Sequence, residues 1–200
     1  MKKFHPQLEI WLEVKNWSGP NGTGRLLSRK RVKCHSYVGN FIDLLYLQML
    51  GSGGTLTDNI TDTSGTVRAV TNSSQAFQAN AAAGTATFGV QVGTGTAAND
   101  VAKYALAALI ANGAGAGQLQ YGAVSVGAPA TVGQQRKFTV ARVFTNNSGA
   151  AITVNEVGLV VYGQAGSYIY NFLVERTLST NTIANGASST WTYTISVTTS

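Results

Sequence analysis

The sequence predicts a mainly β protein, an antiparallel β-sandwich carrying an N-terminal β-hairpin and two short helices. Three observations lead there. The stretches "QLEIWLEVK" (7–15) and "WTYTISV" (191–197) alternate apolar and polar residues with a period of two, as half-buried strands do. Beyond residue 118, five apolar, β-branched runs follow one another with turn residues between them, a pattern of sequential antiparallel strands rather than of parallel strands joined by helices. A chain of 200 residues, 44% hydrophobic and 9% aromatic, can bury a core, and no stretch approaches the roughly 18 apolar residues of a membrane span.

The elements read in order as follows. In 7–15, Leu8, Ile10, Leu12 and Val14 share one face; "SGPNGTG" is a turn cluster, and "RLLSRKRVKC" returns as the second arm of a hairpin. In "SYVGNFIDLLYLQMLG" the period becomes helical, with Val38, Phe41, Ile42, Leu45, Tyr46 and Met49 on one stripe, Ser36 as N-cap and Gly51 past the end. Residues 1–50 thus form a hairpin and helix. Residues 51–87 are small, polar and weakly periodic, and are expected as an extended contact-forming loop with one short hairpin near Val67 to Val70, ordered by neighbouring molecules. Residues 88–200 form the sandwich. Within it "FGVQV" is a strand, and a second helix is expected over "VAKYALAALIANG", capped by Asn99 or Asp100 and stopped by Gly113. The strands "LQYGAVSV", "RKFTVARVFT", "AITVNEVGLVVYG", "SYIYNFLVERTL" and "SSTWTYTISVTT" complete it, the last burying Trp191, Tyr193, Ile195 and Val197 together.

Charge narrows the function classes. Only 11% of residues are charged, against about a quarter in ordinary soluble domains, so the surface is built largely of small polar residues and suits burial against other copies. The whole net charge of +6 resides in residues 1–33; the remainder of the chain is neutral. Arg29, Lys30, Arg31 and Lys33 could grip phosphates, but on a strand Arg29, Arg31 and Lys33 share one face and Lys30 takes the other. A solvated face, or a patch meeting an acidic partner, is favoured over dedicated DNA contact. Trp11 and Trp17, near the hairpin, are candidate interface anchors beside these four basic residues.

No catalytic set, cofactor site, metal site or small-molecule substrate is expected. Cys34 and His35 are sequence neighbours and point to opposite sides of a strand, so they form no nucleophile–base pair. With His5 they lack the number and spacing of a zinc set. Glu156 and Glu175 lie on adjacent strands, where Arg142 and Arg176 suggest cross-strand pairing rather than a glycosidase pair. The run Gly93-Thr94-Gly95-Thr96-Ala97-Ala98 has the spacing of a dinucleotide-binding loop, yet no acid follows Asp100 until Glu156, so it reads as a turn. The opening "MKKFHPQLEIWLEVK" lacks the apolar run of an export signal.

The stretches "ITVNEVGLVVYG" (152–163), "FLVERTL" (172–178) and "WTYTISV" (191–197) together resemble the closing strands of many virion proteins of tailed bacteriophages, from tail, fibre and head surface. "FGVQVGTGTAAND" and "YALAALIANGAGAGQLQYGAVSV" are similar to phage structural proteins as well, so the resemblance covers mainly 88–200. It implies a non-enzymatic structural subunit, located in the virion after synthesis in the host cytoplasm, whose partners are copies of itself and other virion proteins. A carbohydrate- or receptor-binding β-sandwich module is the alternative, with Trp11 or Trp17 as its platform.

Overall fold

The computed structural model describes residues 7–34, 38–49, 57–71, 77–165 and 168–198; the expected helix signals at Ser36 and Gly51, and both histidines, lie outside them. In chain order the elements are β1 (Gln7–Trp17), a 3-10 turn at Pro20–Gly22, β2 (Leu26–Cys34), α1 (Gly39–Met49), β3 (Thr57–Thr61), β4 (Val67–Thr71) and β5 (Gly89–Gly93). There follow β6 (Gln120–Tyr121), β7 (Ser125–Val126), β8 (Ala130–Val132), β9 (Gln135–Thr145), β10 (Ile152–Ala165), β11 (Tyr168–Ile183) and β12 (Ser188–Thr198).

Among the described residues every pairing between these strands is antiparallel. The first sheet runs β2-β1-β12-β9, with the short β6, β7 and β8 paired in turn along the far side of β9; the second runs β11-β10-β5, and β3–β4 form a separate hairpin. The expected alternation sets the packing. Ile10, Leu12 and Val14 of β1 stand across from Ile195, Tyr193 and Trp191 of β12, which stand across from Phe138, Val140 and Arg142 of β9. This face meets Val90 and Val92 of β5, Val157, Leu159 and Val161 of β10, and Phe172 and Val174 of β11 in one continuous core. Each such fully buried aliphatic or aromatic side chain contributes about 1.5–3 kcal/mol, and their shared contact makes the two sheets a sandwich.

Three expectations are corrected. There is no helix over 101–112. Asp100 caps one turn only, accepting the Ala102 N–H at 3.0 Å, and from Ala107 onward the backbone amides are drawn into tertiary bonds that a helix would forbid. Ala107 and Ala108 donate to the Glu156 carboxylate, Ile110 donates to Val92 O, and Ala108 O accepts from Thr94. Leu106 and Ile110 are buried, whereas Val101, Tyr104 and Leu109, which a helix would gather on one face, are exposed. Second, the loop expected over 51–87 contains the β3–β4 hairpin, near where a short one was expected, but Ile60 and Val70 enter the chain's own core. Third, Val197 was expected in the core with its strand mates and is 43% exposed, for a reason given below.

Candidate functional site

The β1–β2 hairpin brings four of the six expected interface residues together. Register places Lys33 across from Trp11, Arg31 across from Glu13 and Arg29 across from Lys15, all on the face turned away from the core. Arg29 and Lys15 both bind Glu13, the latter at 2.8 Å, and Lys33 binds Glu9 at 2.6 Å. The Arg31 guanidinium lies 4.4 Å from the centre of the Trp11 ring, and Trp11 Nε1 donates to Glu9 at 3.2 Å. The Lys33 and Trp11 hydrogen bonds hold the Glu9 carboxyl below its ordinary pKa. At Glu13 burial pushes upward, and the bonds from Lys15 and Arg29 outweigh it.

The other two residues lie elsewhere. Lys30 projects to the core side, as its parity requires, and its Nζ sits 3.5 Å from Thr180 O. Trp17 is half-buried and donates through Nε1 to Thr190 Oγ1 at 3.1 Å. The basic run is therefore not a free comb of cations. Three of its charges are engaged by the hairpin's own acids or by an aromatic face, which weakens it as a grip for a phosphate backbone. Beside it, β2 is the outer strand of the first sheet, exposed from Leu26 to Arg31.

At the opposite end of β1, the inner face of the first sheet runs past its cover. Leu8, Val126 and Val197 are 43–50% exposed. Leu8 and Val197 border a groove of about 360 Å3, lined also by Pro129, Phe138 and Ile195 and by Arg136 and Lys137. The alternation in β1 and β12 is the same at these positions as in the core; only the second sheet ends before reaching them. That is why Val197 departs from expectation.

The glycine-rich run at 93–98 does form a cradle for an anion, and the chain fills it with its own carboxylate. Glu156 accepts the N–H groups of Gly95 at 3.1 Å, Ala107 at 3.1 Å and Ala108 at 2.8 Å, together with Arg176 Nε at 2.7 Å. Arg176 continues to Asn99 Oδ1 and Ala97 O. Burial pushes the Glu156 carboxyl up, but the Ala108 and Ala107 amides and Arg176 more than reverse this and hold it low. A Cβ at Gly93 would come within 2.6 Å of both Ala108 O and Glu156 Oε1, and one at Gly95 within 2.4 Å of Glu156 Oε1. The glycines serve close approach, with no room left for a pyrophosphate.

Of the two expected cross-strand partners, Arg176 pairs with a carboxylate and Arg142 does not. Arg142 is buried and donates to five carbonyls instead, those of Ala82, Thr85, Phe88, Val90 and Gly122. Burial lowers its pKa to about 10.

Glu175 points to the opposite side of β11 from Arg176, into the sandwich, beside Cys34 of β2 and Tyr193 of β12. Thr177 Oγ1 donates to one carboxylate oxygen. The other oxygen, Tyr193 OH, Trp191 Nε1 and Ser179 Oγ make no hydrogen bond among the described residues. Burial raises the Glu175 carboxyl to about 7 and pushes the Cys34 thiol and Tyr193 phenol well up. A thiol held protonated is a poor nucleophile. Among the described residues no group of three or more His, Cys, Asp or Glu could hold a metal. Sequence reasoning missed this polar pocket, though the alternation Glu175, Thr177, Ser179, Asn181 was its signal.

Comparison with known proteins gave no matching family model, no matching curated protein and no matching solved structure.

Proposed function

We propose that the chain is a non-enzymatic structural subunit of a tailed-phage virion that works by burying its surface against copies of itself and other virion proteins. The observation that carries this reading is the uncovered end of the first sheet's inner face, where Leu8, Val126 and Val197 are exposed beside a groove lined by apolar side chains together with Arg136 and Lys137. Exposed apolar side chains gathered at one end of a sheet, on a chain so poor in charge, mark a place where water is displaced by a neighbour, and a stable contact buries about 1,600 Å2 in total. The sequence resemblance over 88–200 supplies the setting.

The outer edge at β2 bears on how copies meet. Antiparallel pairing of two β2 strands about a two-fold would set Arg29, Arg31 and Lys33 against their own copies, and like charges directly opposite oppose such fusion. At the other end of the sheet the exposed side chains of Leu8 and Val197 carry no charge themselves, with Arg136 and Lys137 lining the groove beside them. The carbohydrate alternative loses its proposed platform, because Arg31 already covers the Trp11 ring and Trp17 is turned to Thr190.

Sedimentation of the purified chain over a wide concentration range tests the reading. Higher-order species are expected, and Leu8→Asp with Val197→Asp should return the chain to a monomer without loss of its β-sheet spectrum. A wild-type chain that stays monomeric at the highest concentration and does not join purified phage particles overturns it.

A further inference from the structure

On the outer face of the second sheet, between the β3–β4 turn and residues 105–112, lies a cleft of about 420 Å3. That volume falls within the range of small-molecule sites. None of its lining residues is charged: Gln91, Asn112 and Asn171 contribute amides, Thr63 and Thr87 hydroxyls, and Leu106 and Leu109 an apolar floor.

These polar groups have unspent hydrogen-bonding capacity. Gln91 is 5% exposed; its Nε2 donates to Ala86 O at 2.8 Å, and its Oε1 makes no hydrogen bond among the described residues. Asn112 accepts the Tyr121 N–H through Oδ1, which leaves its Nδ2 as a donor, and the Asn171 side-chain amide makes no hydrogen bond among the described residues. The wall made by 105–112 is held in place, because Ala107 and Ala108 are tied to Glu156 and Ile110 to Val92. The groups are thus presented by a fixed frame, which lowers the cost of binding.

We propose that this cleft binds a neutral saccharide ring. A charged ligand would surrender its hydration with no counter-charge in the walls, and a wholly apolar one would leave the Gln91 and Asn171 groups desolvated and unpaired. A ring of hydroxyls, each both donor and acceptor, satisfies amides in either orientation while its C–H face rests on Leu106 and Leu109. An extended peptide would need a strand edge to pair with. The β5 edge beside the cleft is already taken by residues 108–110 and by Arg142.

Saturation-transfer-difference NMR on the whole chain tests the proposal. The probes are glucose, galactose, mannose and N-acetylglucosamine, with glucuronate and glucosamine as charged counterparts and tetra-alanine as the peptide. At least one neutral sugar should bind saturably in the millimolar range, about tenfold more tightly than its charged counterparts. Asn171→Ala and Leu109→Trp should each weaken it about tenfold, with Thr87→Val as the replacement for a variant whose melting temperature falls. No binding by any neutral sugar, binding that survives every variant, or tighter binding of tetra-alanine or a charged sugar overturns the proposal. None of these readouts depends on whether the chain assembles.

Discussion

Glu156 and Glu175 lie on neighbouring strands, both wholly buried, and the two faces of one sheet give them opposite chemistry. On the outer face Glu156 meets a guanidinium and three backbone amides, so its charged form is the one the fold accommodates. On the inner face Glu175 has one hydroxyl donor and otherwise a thiol, a phenol and apolar walls, so its neutral form is favoured. Burial alone does not decide what a carboxyl does. The count of donors aimed at it does.

The largest effect that sharpens the comparison comes from removing the outer carboxylate. Glu156→Ala strands a buried Arg176 and three amides and should cost about 3–5 kcal/mol in urea unfolding, with 94–112 becoming the first site of proteolysis. The double variant Glu156→Gln with Arg176→Met should recover a measurable part of that loss; strict additivity of the two single effects would break the account of a coupled pair.

The second effect is one of opposite pH slopes. The Glu156 carboxyl is lowered on folding, so its contribution is present above the ordinary carboxylate pKa and is lost as the pH falls through its depressed value. The Glu175 carboxyl is raised to about 7, so its contribution is full below about 4.5, declines as the pH rises toward 7 and is flat beyond. The second change is on the order of 3 kcal/mol. Glu175→Gln should abolish the decline between pH 5 and about 7 in chemical denaturation; a decline that persists unchanged in this variant assigns it elsewhere.

The smallest effect uses the exposed hairpin as the control. Arg29→Ala removes a partner of Glu13 that stands in solvent, and should cost no more than about 1 kcal/mol, shrinking further in high salt. A loss comparable to that of Glu156→Ala would mean that exposure does not separate the two kinds of ion pair.

Much of the sandwich was legible because period-two alternation is a local signal. The faces of β1, β2 and β12 follow from parity alone, including the separation of Lys30 from Arg29, Arg31 and Lys33. The absent helix at 101–112 was not legible. Its Ala- and Leu-rich run has genuine helix propensity, and what overrides it is a carboxylate about fifty residues away that offers its amides better partners. Arg142 failed for a related reason: the carbonyls it gathers come from segments that no spacing rule connects. The exposure of Leu8 and Val197 reflects where a different sheet stops, which neither strand encodes.

The first sheet places β12 between β1 and β9, so residues 7–17 acquire their inner neighbour only once residues 188–198 have been made. Until then the β1–β2 hairpin is a two-stranded ribbon without the strand that sits beside it, and the larger sheet cannot close until residues 188–198 join it. A chain cut between these two segments therefore lacks the central plank of that sheet, and only molecules carrying both acquire the finished outer surface.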